Sequence, residues 1–437
     1  MNEHDLIEFI TSQRWFASKL REVTHASVVD RAVLRDADPS LELQLVEIRF
    51  DTGTHETYQL LVDGGFDALA DPRQVRELVH MIRGGMKLPA NEGIVEFGPV
   101  DGIAALGQEL REARPIDTEQ SNTSIVFDEE LILKVFRRLE AGINPELELL
   151  RFLTERGFEN IAQLAGWYAY SGRPMDATLG ILQRFIPAGR DGWELALDAM
   201  ESGTEEFLAS LRRLGQVTGR MHSILGSESS DPSFAPEEPS SESLGMLTAT
   251  VDDEIESVFL ELPEGNDDVA PIRGRGEEVR ERLRLLTQVG SIGRVIRHHG
   301  DFHLGQTLYS DGEWVILDFE GEPARTLPER RRKRSPLRDV AGMLRSFAYA
   351  ATASAILRGR EPPDGWEARA RHEFLEGYRE TIDHALIPSG PAMDKLLAVF
   401  ELEKAVYELR YELNNRPDWV KIPAAGILRM LDEEVGF

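Results

Sequence analysis

The chain has 437 residues, 41% of them hydrophobic, which is long enough for two or three packed subdomains. Its formal net charge of -28 would make a nucleic acid or an anionic membrane repel most of its surface. Because it has no cysteine, disulfides, thiolate catalysis and cysteine-ligated zinc are excluded. The start has neither a basic leader nor a long apolar stretch. These features predict a soluble cytoplasmic protein without nucleic-acid or membrane partners.

Residues 1–90 are predicted to form a small β-rich module. Residues 41–50 alternate between apolar and polar side chains, and residues 54–62 repeat the pattern after a turn. A helix is then predicted to begin at Pro72, a favourable first-turn residue, and to end at Gly84.

Residues 91–187 predict a second β-rich part. Two strands are joined at Asp128, and the second of them carries Lys134. A helix is expected to begin at Pro145 and to run through Arg156, where a glycine follows it. Two further apolar runs complete what we expect to be a five-stranded sheet with one helix.

Residues 188–437 change to a mainly α-helical pattern, so the predicted fold class is α+β. The segment 226–243 is polar and rich in proline and serine, which indicates a surface loop.

A hairpin near residue 310 brings together side chains suited to a metal ion. Its strands are predicted at 307–309 and 314–317, and symmetric pairing places Gln306 close to Asp318. Their side-chain oxygens are ligands that Mg²⁺ prefers. Asp301 lies on the preceding loop, where a carboxylate could orient a hydroxyl group and accept its proton. Any one of these residues alone is more often an ordinary turn residue, but the ordered set predicts phosphoryl transfer.

Lys134 is a candidate for binding the α- and β-phosphates of a nucleotide. Its side chain points away from its apolar strand neighbours, and kinases hold such a lysine with a glutamate from the following helix. Glu146 and Glu148 are both candidates, and we prefer Glu148 because it lies further inside the helix. Alone, Lys134 could equally be a solvated strand residue. Just upstream lie three small polar residues that could donate to phosphate oxygens: Ser121, Asn122 and Thr123. The alternative is that they form a plain polar turn.

A basic run, RRRKR, occupies residues 330–334. Such a run can bind nucleic acid or serve as a localisation signal. In a chain this acidic, we interpret it as a loop that faces phosphate or forms salt bridges.

Several motifs together resemble maltokinases, members of the aminoglycoside-phosphotransferase-like kinase superfamily. They are HGDFHLGQ, DFEGEPARTLPERRRKRSPLRDVAGMLRSF, EQSNTSIVF and YELRYELNNRPDWVKIP, and they extend from about Glu119 to the end of the chain. The resemblance implies a protein-kinase-like bilobal fold with a β-rich N-terminal cap and N-lobe and a mainly α C-lobe. It also implies ATP and Mg²⁺ as cofactors, and phosphorylation of maltose at its anomeric hydroxyl to give maltose 1-phosphate.

Specific roles follow from the same resemblance. Asp301 corresponds to the catalytic base, and Gln306 and Asp318 correspond to the metal ligands. The general superfamily pattern has asparagine where this chain has Gln306, and maltokinases resemble this sequence in having glutamine there. His303 and Glu320, in the same segment, are further candidate substrate contacts.

The C-terminal helix around residues 396–413 predicts a sugar site. One face carries apolar residues and must be buried: Val399, Leu402, Val406, Leu409 and Leu413. The opposite face carries a stripe of aromatic and charged residues: Phe400, Lys404, Tyr407, Glu408 and Tyr411. Such residues suit the hydroxyls and C–H faces of a sugar. The alternative is that this face is exposed to solvent. Trp419 is a candidate stacking platform on the same side.

Two other functions remain open from the sequence. The protein could be a relative of maltokinases that phosphorylates glucosamine, glucose or an aminoglycoside, because superfamily members share phosphate chemistry and differ in the acceptor pocket. The protein could instead be a non-catalytic partner of trehalose synthase, which supplies maltose in the pathway where maltokinases act. The complete set of Lys134, Asp301, Gln306 and Asp318 favours catalysis, and both roles could coexist.

Overall fold

A computed structural model describes residues 2–38, 40–64, 67–100, 110–116, 121–227, 230–286, 292–323 and 325–432. Its contacts divide the chain into two units, Met1–Ala188 and Gly189–Phe437. The finer division into 1–90, 91–187 and 188–437 stays a prediction.

The first unit is rich in strands, as the sequence predicted. Its helices are α1 (Glu3–Ser12), α2 (Pro72–Gly84) and α3 (Pro145–Glu155). Its strands are β1 (Val23–Arg35), β2 (Leu41–Phe50), β3 (His55–Val62), β4 (Lys87–Pro89), β5 (Gly93–Pro99), β6 (Ala113–Ile116), β7 (Asn122–Phe127), β8 (Leu131–Phe136), β9 (Arg138–Leu139), β10 (Leu164–Gly172) and β11 (Asp176–Arg184).

These strands form two antiparallel sheets. One has the order β1-β2-β3-β9, and the other has the order β4-β5-β10-β11-β8-β7-β6. The second sheet therefore has seven strands where we expected five. The edge strands β4 and β6 have only three and four residues, which is too short for a recognisable alternation.

Buried Gln59 connects the two sheets of this unit. Its side-chain amide donates to the carbonyl of Phe136 at 2.9 Å and to that of Leu179 at 2.8 Å. The Tyr168 hydroxyl donates to the Gln59 carbonyl oxygen at 3.0 Å. These bonds satisfy a fully buried amide and fix the end of β8, the strand that carries Lys134.

Local signals in the sequence correctly located several elements. Asp128 and Glu129 both have positive φ, at 50° and 53°, in the short turn that joins β7 to β8. The Asn144 side chain accepts from the backbone N–H of Glu146 at 2.8 Å and caps α3. Gly157, with φ of 69°, follows the end of that helix.

The second unit is mainly helical, which confirms the predicted fold class. Its helices are α4 (Gly192–Glu201), α5 (Thr204–Leu225), α6 (Ser241–Leu260), α7 (Gly276–Leu286), α8 (Leu327–Arg330), α9 (Leu337–Arg358), α10 (Trp366–Thr381), α11 (Pro391–Asn415) and α12 (Lys421–Asp432). A small antiparallel sheet comprises β12 (Arg190–Asp191), β13 (Thr307–Ser310) and β14 (Glu313–Ile316).

Helices α5 and α10 approach closely because glycines lie at their contact. A Cβ atom on Gly215 would collide with the carbonyl of Phe374, and one on Gly377 would collide with that of Arg212. The close approach allows His222 of α5 to reach Tyr378 of α10.

Helix α9 is long and apolar enough to cross a membrane by composition. However, 78% of its apolar window is buried inside the protein, as in the core helix of a soluble protein.

Candidate active site

The β13–β14 hairpin brings Gln306 and Asp318 together as the sequence predicted. Thr307 pairs with Ile316, and the next backbone bond runs from Leu317 N–H to the Gln306 carbonyl at 2.9 Å. The Gln306 side-chain amide then lies 3.1 Å from a carboxylate oxygen of Asp318. Two oxygen-bearing side chains therefore meet at the open end of the hairpin.

Asp318 has an unusual backbone conformation. Its φ is 59°, in the left-handed region that a non-glycine residue occupies at a cost of about 1 to 3 kcal/mol. Such strain is found mainly where the surrounding structure holds a functional side chain in position. The conformation directs the chain out of β14 at the residue proposed to bind metal.

A buried carboxylate, Asp339 of α9, anchors the loop that carries Asp301. It accepts from the backbone N–H of His299 at 2.8 Å and from that of Gly300 at 2.9 Å. Burial by itself raises the pKa of Asp339, but neighbouring His298 and the His222 hydrogen bond outweigh it and hold that pKa well below its usual range. Asp339 therefore remains ionised and fixes the two residues before Asp301.

His222 extends this anchor to α10. One ring nitrogen lies 3.1 Å from Asp339, and the other lies 3.1 Å from the hydroxyl of Tyr378. All three side chains are buried. The loop that carries Asp301 is thus connected to α9, α5 and α10 by one chain of buried polar side chains.

His299 connects the same loop to the hairpin. Its Nε2 atom lies 2.8 Å from the carbonyl of Leu317, and its Nδ1 atom accepts from the Asp301 N–H at 3.3 Å. Asp301 and Asp318 are therefore held in a fixed relation through one imidazole.

The Asp301 carboxylate pairs with a partly buried lysine. Lys404 Nζ lies 3.2 Å from Asp301 Oδ1 and 3.1 Å from Glu322 Oε1. Burial by itself lowers the pKa of Lys404, but these carboxylates raise it well above its ordinary value. Burial likewise raises the pKa of Glu322, but Lys404 and Arg325 outweigh it and hold the pKa at about 2. Lys404 is therefore a permanent cation beside the proposed base.

His303 lies on the other side of the same carboxylate. Its Nε2 atom is 3.9 Å from Asp301 Oδ2, and its Nδ1 atom accepts from the Gly305 N–H at 3.1 Å. Burial lowers the pKa of His303 despite the nearby Asp301 charge, so the imidazole is neutral at pH 7.

A cavity opens at Asp301 within the second unit. Helix α11 contributes Phe400, Lys404 and Tyr407 to its wall, and α6 contributes Glu254. Donors and acceptors of both charges alternate with aromatic surface, which suits a polar ligand such as a sugar. A hydroxyl group bound here would lie next to a carboxylate able to accept its proton.

Only some residues of the predicted substrate stripe on α11 line the cavity. Lys404 and Tyr407 line the cavity, whereas Glu408 accepts from Arg345 at 2.6 and 3.2 Å. Tyr411 is 44% exposed and lies beside Arg416. The sequence pattern identified a polar face, but could not show that α9 covers one side of it.

The opposite face of α11 is the buried one, as predicted. Val399, Leu402, Val406 and Leu409 are buried, and Leu413 is partly buried. Phe400, assigned to the polar stripe, is also buried and packs under Arg338 at 4.9 Å.

Two other predicted substrate contacts lie outside the cavity wall. Trp419 stacks on Tyr349 with ring centroids 6.0 Å apart, and the Arg416 guanidinium lies 4.9 Å from its ring. The backbone carbonyl of Glu320 accepts from Arg330 at 3.2 Å. Their roles in substrate binding stay predictions.

In the first unit, Lys134 pairs with Glu146, whereas we preferred Glu148 as its partner. Lys134 Nζ lies 2.8 Å from Glu146 Oε2, and both side chains are buried. Glu148 is only partly buried. Two residues along a helix rotate the side chain by about 200°, so position inside the helix was a poorer guide than the direction in which each glutamate points.

The small polar residues before Lys134 occupy the start of β7. Thr123 Oγ1 accepts from Arg137 at 2.8 Å, and Arg137 also pairs with Asp67. Asn122 lies in the strand, and exposed Ser121 immediately precedes it. Glu119 and Gln120 of the same motif lie outside the described residues, and phosphate binding by this segment stays a prediction.

Sequence reasoning missed Glu322 and Asp339. A signal for Asp339 was present, because it is a single acid at the start of an otherwise apolar helix, and a buried carboxylate requires specific partners. Glu322 offered no such signal, since it lies in a loop and acquires its role only through Lys404, 82 residues later in the chain.

We expect Glu146→Gln to lower kcat/KM for ATP by roughly 10- to 100-fold. Charge-assisted hydrogen bonds contribute about 1.5 to 3 kcal/mol, and the amide would leave Lys134 without its buried carboxylate. Steady-state kinetics with varied ATP would measure the loss. Glu148→Gln is the matched control and should change the constant by less than about threefold. Equal losses in both variants would contradict the assignment.

The divided stripe predicts opposite outcomes for neighbouring residues. Tyr407→Phe should raise KM for the acceptor by roughly 5- to 100-fold without lowering the melting temperature, since Tyr407 lines the cavity. Glu408→Gln should mainly lower the melting temperature, because it weakens the pair with fully buried Arg345. Acceptor kinetics and thermal unfolding of both variants would separate the two roles. A raised acceptor KM in both variants, with unchanged melting temperatures, would restore the original assignment of both residues to the sugar site.

These features define a phosphotransferase of the kinase-like class: a fixed loop carboxylate beside a polar cavity, a carboxylate–amide pair on the adjoining hairpin, and a buried lysine–glutamate pair on a strand and helix. Residues 9–80 match the maltokinase N-terminal cap domain, and residues 112–321 match the phosphotransferase enzyme family. The chain thus carries a maltokinase-type N-terminal cap and a segment of the phosphotransferase enzyme family, as its motifs predicted.

Two proteins similar in sequence to this chain are glucosamine kinases. The chain is 25% identical over 337 residues to a glucosamine kinase of Streptacidiphilus jiangxiensis, and the match covers 74% of each chain. A solved glucosamine kinase, crystal form B, has a TM-score of 0.75 at 20% identity, covering 98% of this chain and 99% of that chain. Another, in complex with glucosamine, ADP and inorganic phosphate, has a TM-score of 0.73 at 19% identity and covers 97% and 98%. At these identities the solved structures establish the fold.

Proposed function

We propose that the protein transfers the γ-phosphoryl group of ATP to the anomeric hydroxyl of maltose, giving maltose 1-phosphate and ADP. The observation that carries the proposal is the Asp301 carboxylate at the polar cavity, in a chain with a maltokinase N-terminal cap. Lys404 and Tyr407 provide a donor and an aromatic surface beside that carboxylate, as a bound sugar requires.

In the proposed reaction, Asp301 orients the anomeric hydroxyl and accepts its proton. The sugar oxygen forms a bond to the γ-phosphorus while the bond between that phosphorus and the β,γ-bridging oxygen breaks, and ADP leaves. Lys404 keeps Asp301 in place, and Lys134 with Glu146 binds the α- and β-phosphates.

The residues at the hairpin fit a magnesium ion. Gln306 and Asp318 adjoin each other and both bear oxygen, which is the ligand chemistry that Mg²⁺ prefers. They would hold the ion, and it would neutralise phosphate charge in a protein whose own net charge is -28. The ADP complex of a structural neighbour supports the use of an adenine nucleotide.

Glucosamine is the second candidate acceptor. The named relatives are glucosamine kinases, and the cavity wall includes the carboxylates of Glu254 and Glu403, which could pair with an ammonium group. Burial raises the pKa of Glu254, and a cationic ligand would relieve that cost. Glucose and aminoglycosides remain weaker candidates.

The deciding experiment incubates the protein with ATP, Mg²⁺ and, in separate reactions, maltose, glucose, glucosamine or kanamycin. Phosphorus NMR then identifies each product. An anomeric phosphate formed on maltose with the highest kcat/KM supports the proposal, and selective phosphorylation of glucosamine establishes the second candidate instead. The variant Asp301→Asn is the control for contaminating kinases.

An association with trehalose synthase is a separate proposal. A protein that consumes maltose would benefit from proximity to an enzyme that supplies it. Co-elution of the two purified proteins in size-exclusion chromatography tests it, and separate elution at micromolar concentrations counts against a stable complex.

A further inference from the structure

The basic run at residues 330–334 does not act as one surface. The Lys333 ammonium pairs with Glu237, and exposed Arg332 faces solvent. Arg330 donates to a backbone carbonyl. Arg330 and Arg334 both lie on the cavity wall.

The position of Arg334 is fixed by its backbone. Its N–H and carbonyl both bond to Ile296 at 2.9 Å, in a β-bridge next to the catalytic loop. The side chain is partly buried and lines the same cavity as Asp301. Within the described ranges, no carboxylate lies within ion-pairing distance of its guanidinium.

The other charges on this wall have partners that account for them. Arg338 lies 2.7 Å from Glu403, and Lys404 lies between Asp301 and Glu322. Arg325 also pairs with Glu322, Glu254 lies 3.1 Å from Arg410, Glu329 accepts from Thr326, and Asp339 holds the loop N–H groups. None of these carboxylates forms an ion pair with Arg334, and the charge of Glu403 offsets that of Arg334 only in part.

The local electrostatics disfavour this charge. Burial lowers the pKa of Arg334 to about 10, and the positive charges of Arg338 and Arg325 contribute to the decrease. Because the folded-state pKa lies below the unfolded value, the charged guanidinium costs folding free energy at pH 7, where both states are protonated. An anion placed in the cavity would remove this cost.

We propose that Arg334 forms an oxyanion subsite in this cavity, which binds the phosphate group of inorganic phosphate or of a sugar phosphate. A planar guanidinium presents a fork of donors that matches phosphate oxygens, and a dianion suits a site with further arginines nearby. Because Asp301 and Lys404 line the same cavity, bound phosphate competes with the acceptor. The proposal holds for any acceptor that the enzyme uses.

The test measures binding of inorganic phosphate to the nucleotide-free protein by isothermal titration calorimetry at low ionic strength. We expect Arg334→Gln to weaken binding by roughly 10- to 150-fold, as for the loss of a charge-assisted hydrogen bond. Arg334→Lys should retain part of the affinity. Arg332→Gln is the matched control, since it removes the same charge from an exposed position of the same loop, and should change affinity by less than about twofold.

Thermal unfolding supplies a second readout that does not need turnover. Phosphate should raise the melting temperature of the wild type and of Arg332→Gln, but not that of Arg334→Gln. Without phosphate, Arg334→Gln should melt no lower than the wild type, because it removes a charge that burial and neighbouring arginines disfavour. Equal phosphate affinity in wild type and Arg334→Gln, or equal losses in Arg332→Gln and Arg334→Gln, would overturn the proposal.

The source of the phosphate group is distinguished by comparing ligands in the same assay. Tighter binding of glucose 1-phosphate than of inorganic phosphate, with the difference lost in Arg334→Gln, identifies a sugar phosphate as the ligand. Equal affinities identify free phosphate. Both results support the subsite. If phosphate binding did not compete with the acceptor sugar, the anion would lie outside this cavity, and that result would contradict the proposal.

Discussion

We expect Asp301→Asn to lower kcat by about 10²- to 10⁴-fold, while ATP binding changes little. The amide keeps the shape of the side chain but cannot accept the hydroxyl proton. It also loses the ion pair with Lys404 at 3.2 Å, so the acceptor is no longer oriented against a charged base. Pre-steady-state kinetics with ATP and acceptor would measure the loss, and fluorescence titration would measure nucleotide affinity.

The matched control for Asp301 is Asp311→Asn. Asp311 carries the same charge but is exposed in the turn between β13 and β14, where its φ of 52° suits asparagine. Its kcat should stay within about twofold of the wild type. If Asp301→Asn keeps more than half of the wild-type kcat, Asp301 is not the base.

Asp339→Ala is expected to lower the free energy of unfolding by about 3 to 5 kcal/mol and to reduce kcat as well. The change leaves buried His222 and the N–H groups of His299 and Gly300 without their acceptor. The loop that positions Asp301 would then lose its anchor to α9. Urea unfolding at pH 7 and steady-state kinetics would measure the two effects.

Two milder variants separate the parts of this network. Asp339→Asn retains one carbonyl acceptor in the same volume and should lose less stability, so it provides a folded protein if the alanine variant does not accumulate. Tyr378→Phe removes only the hydroxyl next to His222 and should cost about 1 kcal/mol with little change in kcat. A stable Asp339→Ala variant with unchanged kcat would show that the anchor is dispensable.

Local patterns in the sequence were sufficient for much of the fold. The hairpin of β2 and β3, the turn at Asp128, the capped start of α3 and the buried face of α11 each depend on residues close together in the chain. Their signals are periodicity, turn chemistry and caps, which act over a few residues. The short edge strands β4 and β6 carried no such signal, and the sheet was therefore underestimated.

By itself, the sequence determined the hairpin of β13 and β14, because Gln306 and Asp318 are joined by one short turn whose pairing fixes their separation. Only the tertiary structure decided that Glu146 holds Lys134, and that Lys404 contacts Asp301 while Glu408 holds Arg345. It also placed Arg334 on the cavity wall, where no carboxylate of the described residues lies within ion-pairing distance. These relations join residues far apart in the chain. They depend on which helix packs against which, and periodicity along one helix gives a polar face without identifying the neighbour that covers it.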